Sequence, residues 1–345
     1  MRWIVTACAW SLEGSHNAAG APRTAGPERP ARVHDGGMTT VDHPALRPGF
    51  LRDLLVAPHG PLARLEVVEE SVSTNTELAA AVAVDPGAWP APSLLVAEHQ
   101  VAGRGRAGRG WQTPARTALT GSVLVRPDVS RERLSWLPLL AGLATVRCLR
   151  ATAGVEAVVK WPNDVLVPAP GEERAPEVAG WGTHRKVAGI LCELLPDGGA
   201  IVGVGLNVLQ DESELPVASA TSLALVGAAT TDREILLTAL EESFAQILGR
   251  WQEARGDAAE AGLVEECAEV SATLGAQVRV ELTGGEQVTG EACGFGPDGA
   301  LLVLGADGRT HVLHSGDVHH LRLDGAAPRP ASSASSAAVD EVPAG

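Results

Sequence analysis

Lysine is almost missing from this 345-residue chain: all but two of its 27 basic residues are arginine, the exceptions being Lys160 and Lys186. Wherever a generic positive charge suffices, the chain uses arginine. The two lysines therefore mark places where a compact ammonium with three donors is needed and a planar guanidinium does not fit. Basic charge of any kind is in deficit, with Lys+Arg 27 against Asp+Glu 42 and a net charge of −15. That balance excludes a general binder of nucleic acid or of anionic membrane, because phosphate is repelled. Cysteine pairing is missing too. Cys8, Cys148, Cys192, Cys267 and Cys293 are scattered without a C-x-x-C pair, which argues against a disulfide framework or a zinc cage and fits a reducing cytoplasm. No apolar run approaches the roughly 18 residues that span a bilayer. The opening MRWIVTACAW has the composition of a short secretory signal, but Glu13, His16 and a Pro/Gly/Arg-rich tract follow it. A cytoplasmic location is the expectation.

What remains is an ordinary globular composition, 45% hydrophobic and 20% charged, with length for about two domains. Residues 1–50 are expected to be a disordered extension, most clearly the Ala/Gly/Pro/Arg-rich stretch 1–37. Met38 is the only methionine besides Met1, so translation is expected to start there and residues 1–37 to be dispensable. The Ser/Ala-rich tail 324–345 is likewise expected to be disordered. Residues 60–270 mix strands and helices without a regular βαβ rhythm, which disfavours a doubly wound parallel sheet and predicts an α+β fold. Strands are predicted at 64–70, 93–99, 119–125 and 155–160, and a hairpin at 186–195 and 200–208. Helices are predicted from Thr74, with Glu77 closing a capping box, over 135–153, and from Thr231 with Glu234 to about Trp251. Residues 168–184, rich in Pro, Gly and Glu, read as a loop insertion. From 271 to 323 the texture turns to short strands with glycine turns, predicting a small β-barrel.

Residues 103–110 read Gly-Arg-Gly-Arg-Ala-Gly-Arg-Gly. Four glycines let the backbone approach a ligand and leave the loop floppy when empty; three arginines offer bidentate donors to carboxylate and phosphate. In so acidic a chain, an anionic ligand is the natural partner. No Gly-Lys-Ser/Thr follows, so this is not a P-loop, and no helix opens after it, so it is not a dinucleotide fingerprint. RGG-type RNA-binding segments are long repeats, unlike this single turn between strands. A solvated surface turn is the plain alternative.

Lys160-Trp161-Pro162-Asn163-Asp164 ends a strand with a cation, an amide and a carboxylate, and Lys186 opens another. Each alone reads equally as a surface ion pair of small consequence. Gly203, Gly205 and Asn207 interrupt a strand, which suggests that something packs against its backbone. Thr74 reads as a helix cap as readily as a ligand contact, Trp161 as core, and His311, His314, His319 and His320 as a strand face rather than metal ligands.

Taken in order, Ser73-Thr74-Asn75, Gln100, Gly103-Arg104-Gly105-Arg106 with Gly108 and Trp111, Lys160-Trp161-Pro162-Asn163-Asp164, Lys186 before Ala188-Gly189, and Gly203-Val204-Gly205-Leu206-Asn207 resemble the biotin–protein ligase family. His314-Ser315-Gly316-Asp317-Val318 extends the resemblance to about residue 322. The resemblance implies a mixed-sheet catalytic domain like that of class II aminoacyl-tRNA synthetases, and that the small C-terminal β-barrel is SH3-like. It also implies formation of biotinyl-5′-AMP from biotin and ATP with Mg²⁺, then transfer to a lysine of the biotin carboxyl carrier domain of a carboxylase. No tightly bound protein-ligated metal, nucleic acid or membrane partner is implied. By position, Ser73, Thr74, Asn75, Gln100, Gly103, Gly189 and Gly205 would form the biotin side. Arg104, Gly105 and Arg106 would hold the biotin carboxylate and the phosphate. Arg109, Trp111, Asn163 and Asn207 would face ATP, with Trp111 on the adenine side. Lys186 would bridge the reacting groups, and Lys186, Arg104, Arg106 and Asp164 would carry the chemistry. Asn163 and Asp164 would serve the metal, the nucleotide or the acceptor amine, while Lys160 would position their turn.

Two departures from the family pattern stand out: the 168–184 insertion, and the absence of a helix-turn-helix pattern in residues 1–60, which disfavours a biotin-responsive repressor. A lipoate ligase or octanoyl transferase of the same architecture is the alternative. The residues also make chemical sense by themselves. A carboxylate attacking an α-phosphate brings two anions to about 4 Å, a repulsion of roughly 4 kcal/mol at an effective dielectric near 20, or about a thousandfold in rate. Fixed cations such as Arg104, Arg106 and Lys186 offset it, and a glycine-rich lid would keep water from the acyl-adenylate.

Overall fold

The computed structural model describes residues 43–169, 177–282 and 285–321; the expectations for residues 1–37, for a start at Met38 and for the tail lie outside them. Order begins earlier than expected at the N-terminal side. Leu46 is buried, and α1 (Pro48–Leu55) seats Leu51 and Leu55, one turn apart on the same face, in the core. Pro48 suits the first turn, where its missing N–H is no loss.

The strands that follow are β1 (Arg64–Ser71), β2 (Ser93–Gln100), β3 (Gly103–Arg104), β4 (Gly110–Trp111), β5 (Ala118–Val125), β6 (Val158–Lys160), β7 (Asp164–Pro168), β8 (His184–Leu194) and β9 (Ala200–Asn207). Helices α2 (Thr74–Val84), α3 (Leu137–Cys148), α4 (Arg233–Glu253) and α5 (Leu263–Glu269) complete this part. Seven strands form one sheet in the order β1-β2-β5-β9-β8-β7-β6. Only β1–β2 is parallel, so the sheet is mixed, as expected.

Strand alternation decides which face does what. Leu119 and Val123 of β5 and Val202 and Leu206 of β9 belong to the large core that also takes in α3 and α4. The alternate residues Leu124 and Ile201 pack with Leu78 and Val82 of α2 on the other face. Gly203, Gly205 and Asn207 share that second face and line the cavity there, and Ser122 of the same face meets Thr74 and Asn75 at the start of α2.

Both predicted capping boxes are displaced. Ser73, not Thr74, precedes the first helical residue, and Glu77 accepts from Val72 N at 2.8 Å. The Thr74 hydroxyl is instead recruited by Gln100 Oε1 at 3.1 Å. Asp232, not Thr231, caps α4, accepting from the backbone N–H groups of Glu234 and Ile235, because a carboxylate accepts more strongly than a hydroxyl.

The C-terminal strands β10 (Gln277–Glu281), β11 (Gln287–Phe295), β12 (Leu301–Gly305), β13 (Thr310–Leu313) and β14 (Asp317–His320) form an antiparallel sheet in the order β13-β12-β11-β10-β14. The predicted small β-domain is thus present. Trp161 fastens it to the first sheet: its backbone N–H donates to Thr273 Oγ1 at 3.0 Å and its indole N–H to Gly299 O at 3.2 Å. Trp161 is buried, the core role expected of it.

Candidate active site

A cavity of about 580 Å³ opens on the α2 side of the sheet, and its wall collects side chains from motifs far apart in the chain, from Ser73, Thr74 and Asn75 to Asp317. Its floor is set by glycine. A Cβ on Gly203 would stand 2.2 Å from Asn75 Oδ1, and one on Gly205 would stand 2.5 Å from the Trp111 ring. A Cβ on Gly189 would meet Lys186 Nζ at 2.9 Å and the Trp111 ring at 3.2 Å. The indole therefore lies on bare backbone of β8 and β9, which explains glycine in strands that otherwise favour branched residues. Trp111 Nε1 is buried with no partner among the described residues.

At one end, buried polar groups interlock. Thr74 N and Oγ1 both donate to Gln100 Oε1, at 2.8 and 3.1 Å. Ser122 Oγ stands 2.6 Å from both Thr74 Oγ1 and Asn75 Oδ1. Asn75 Nδ2 donates to Leu191 O at 3.1 Å and to Glu193 Oε2 at 2.9 Å. Such a network holds donors and acceptors in fixed directions, which a polar ring such as a ureido group requires. Ser122 was not singled out from sequence, although a hydroxyl inside LTGSVLV is the kind of polar interruption that could have marked it.

At the other end charge gathers. Lys186 Nζ pairs with Asp164 at 2.6 Å and lies 5.6 Å from the Trp111 ring centre. Arg106 Nη1 donates to Asn163 Oδ1 at 3.1 Å and to Gly316 O at 3.5 Å. Burial lowers the Arg106 pKa, with Asp317 and Asp164 acting the other way. Asn163 Nδ2 is held by Ile190 O at 2.8 Å. Arg109 reaches Asp317 of β14 at 2.7 Å. Arg104 is more exposed, 3.2 Å from Thr76 Oγ1 and 3.5 Å from Glu193. Lys160 is buried, its ammonium 3.2 Å from Gly180 O and 3.6 Å from the Trp181 ring centre. Burial pushes its pKa down to about 8, against the attraction of Asp164.

Four expectations meet a different geometry. The arginine loop, expected to be floppy, is a hairpin: β3 pairs with β4, Gly105 N bonds Arg109 O at 2.7 Å, and Ala107 (φ 53) and Gly108 (φ 74) turn the tip in the left-handed region. Gly103 is not on the cavity wall; a Cβ there would stand 2.3 Å from Trp111 O, so this glycine permits the hairpin. Lys160 flanks its turn through backbone pairing with Asp164, but its ammonium contacts Gly180 and Trp181 instead of the turn's side chains. Asn207 lines the cavity, but its amide already holds Thr221 O at 2.9 Å and accepts from Gln210 at 3.0 Å, which makes it a brace for the 210–221 segment. The remaining expected residues, Gly105 included, lie on the wall. Among the described residues no group of three His, Cys, Asp or Glu side chains converges as a metal cage. His314 pairs with Asp298 at 2.9 Å, and burial pushes His320 down to about 4.

The family model described as the biotin/lipoate A/B protein ligase family matches residues 70–211, and that of the biotin protein ligase C terminal domain matches residues 273–321. The biotin–[acetyl-CoA-carboxylase] ligase of Mycobacterium tuberculosis is 38% identical over 290 residues, 82% of this chain and 100% of that one. The enzyme of the same name from Paracoccus denitrificans is 30% identical over 248 residues, 69% of this chain and 92% of that one. Among solved structures, the biotin protein ligase from Aquifex aeolicus in complex with biotin and ATP superposes with a TM-score of 0.57 at 28% identity, covering 75% of this chain and 99% of that one. A cavity walled by these motifs, both family domains in order, and a relative matched along its whole length place this chain in the biotin protein ligase family.

Proposed function

We propose that this protein activates biotin with ATP as biotinyl-5′-AMP and transfers the biotinyl group to one lysine of a carboxylase carrier domain. The observation that carries this reading is the single cavity with two unlike ends: a neutral, interlocked polar end at Thr74, Asn75, Gln100 and Ser122, and a cationic end at Arg106, Lys160 and Lys186. The first suits a neutral ureido ring, the second a carboxylate meeting a polyphosphate.

In the first step a biotin carboxylate oxygen attacks the α-phosphorus and pyrophosphate leaves. Lys186 and Arg106 offset the approach of the two anions, and Arg104, at the mouth, completes the carboxylate clamp. Magnesium enters as part of the MgATP substrate, carried by its phosphates. In the second step a lysine amine adds to the acyl carbon, AMP leaves, and Asp164 is the carboxylate placed to take the proton the amine gives up. Trp111 covers the site from the loop side and keeps water from the mixed anhydride. The C-terminal family domain favours biotin over lipoate, and the acidic net charge favours an enzyme over a DNA-binding repressor. A cytoplasmic site of action goes with this reading; among the described residues no helix is long and apolar enough to cross a membrane.

The test is incubation with radiolabelled ATP, Mg²⁺ and either biotin or lipoate, followed by identification of the adenylate. Biotinyl-AMP alone is the expected product; lipoyl-AMP in comparable yield would move the chain to the lipoate side of the family.

A further inference from the structure

Just before β8, residues 178–182 form a small turn at the cationic end of the cavity. Val178 and Gly182 form a bridge, Trp181 N bonds Val178 O at 2.9 Å, and Gly180 pairs with His320 of β14. This turn brings two groups to Lys160: the Gly180 carbonyl, 3.2 Å from Nζ, and the Trp181 ring face, its centre 3.6 Å from Nζ. Both Lys160 and Trp181 line the cavity.

The two lysines of the protein are placed unlike each other. Lys186 is neutralised by Asp164 at 2.6 Å. Lys160 is 4% exposed and, among the described residues, no carboxylate stands in ion-pair contact with it; a ring face and a carbonyl are what solvate it. A buried cation without a counter-charge is costly unless something supplies the anion, and the open side of Lys160 is the cavity. Arg106 and Lys186, which also line it, make that end receptive to more negative charge than one carboxylate brings.

We propose that Lys160 receives the β- and γ-phosphates of the nucleotide, the pyrophosphate that departs in the first step, and that Trp181 is the positioning residue that aims it. The proposal rests on the ATP-dependent reading of the cavity. It assigns a task to the described end of the 168–184 segment, which departs from the family pattern: Trp181 supplies an aromatic cap to a lysine that, among the described residues, no carboxylate meets in an ion pair. An indole face attracts the ammonium without neutralising it, so the full charge remains available to phosphate.

The experiment uses the full chain and inorganic pyrophosphate as the probe, with KM for ATP and biotin affinity measured beside it, in the wild type and in Trp181→Ala, Trp181→Phe and Lys160→Met. Trp181→Ala is expected to weaken pyrophosphate binding and raise KM for ATP about tenfold. Biotin affinity should stay within about twofold, and Trp181→Phe, which keeps a ring face, should recover most of the loss. Lys160→Met should abolish pyrophosphate binding and yet melt no lower than wild type, since it removes a buried charge that no described carboxylate meets in an ion pair. Equal loss of biotin and ATP affinity in Trp181→Ala, or pyrophosphate affinity unchanged in Lys160→Met, would overturn the proposal. If the wild type binds pyrophosphate through Lys160 but forms no biotinyl-AMP, the phosphate site stands and the ligase reading falls.

Discussion

Arg233 and Arg109 each meet a carboxylate at close range, Glu98 at 2.6 Å and Asp317 at 2.7 Å, but their surroundings are opposite. The Arg233–Glu98 side chains are 4% and 3% exposed, whereas those of Arg109–Asp317 are 61% and 44% exposed. Around the first pair further bonds add to the fastening: Arg233 also donates to Pro44 O at 2.7 Å and Ala118 O at 3.3 Å, and Glu98 accepts from Leu46 N at 2.5 Å. That pair binds the segment before α1 to the edge of α4. The second pair joins the arginine hairpin directly to β14 at the solvent-exposed surface. The same chemistry is a permanent fastening in one place and an exchangeable one in the other; a phosphate competes for Arg109 at little cost and for Arg233 not at all.

The largest difference between the two should come from removing the buried arginine. Arg233→Met strands the Glu98 carboxylate in the core and should lower unfolding free energy by about 3–5 kcal/mol. Chemical denaturation measures this, and a loss below about 1 kcal/mol would mean the pair is no fastening.

Between the extremes stands Lys186–Asp164, 26% and 19% exposed. Lys186→Arg keeps the charge but replaces a compact ammonium with a larger planar fork. It should reduce adenylation by about 10²–10³ in kcat, read as pyrophosphate release, with little change in melting temperature. Lys160→Arg should cost less; the reverse order would invert the roles of the two lysines.

Glu241 supplies a contrast of another kind, a buried carboxyl with no arginine paired to it among the described residues. It faces an apolar lining of Leu119, Val123, Val202 and Phe244, and burial raises its pKa from 4.5 to about 8. The folded state therefore keeps a proton that the unfolded chain releases. This contribution to stability is complete below pH 4.5 and is lost as pH rises through about 8. Melting temperature should fall over that window in the wild type and fall less steeply in Glu241→Gln. Parallel pH profiles would rule out a neutral Glu241.

The smallest effect is expected at the exposed pair. Asp317→Asn should change stability by no more than about 0.5 kcal/mol, while amide exchange across residues 103–110 speeds up and slows again when biotin and ATP are added. Unchanged exchange would show that Arg106, through Asn163 and Gly316 O, suffices to dock the hairpin.

Much of this was legible from residue order. The glycine-arginine turn, the Lys-Trp-Pro-Asn-Asp turn, the two lysines and the Gly-Val-Gly strand all line one cavity, because each motif demands a backbone or charge that few neighbours tolerate. The capping boxes were misread by one residue each, since spacing cannot say that Gln100 will recruit the Thr74 hydroxyl or that Asp232 will outcompete Thr231. Gly103 was read as ligand wall because a glycine needed for a hairpin and one needed for a ligand look alike in a string.

The residues by themselves determined the local chemistry: where backbone must be bare, where charge must be compact, where strands alternate, and hence the family. Tertiary structure decided the partnerships. Arg109 finds Asp317, 208 residues away, and Lys160 finds a tryptophan instead of a carboxylate. Ser122, unremarkable in its strand, becomes the hub between Thr74 and Asn75. Hydrophobic patterning and turn propensity are written in neighbours, but the worth of a charge depends on burial and on what stands opposite, and both are settled only when distant segments pack.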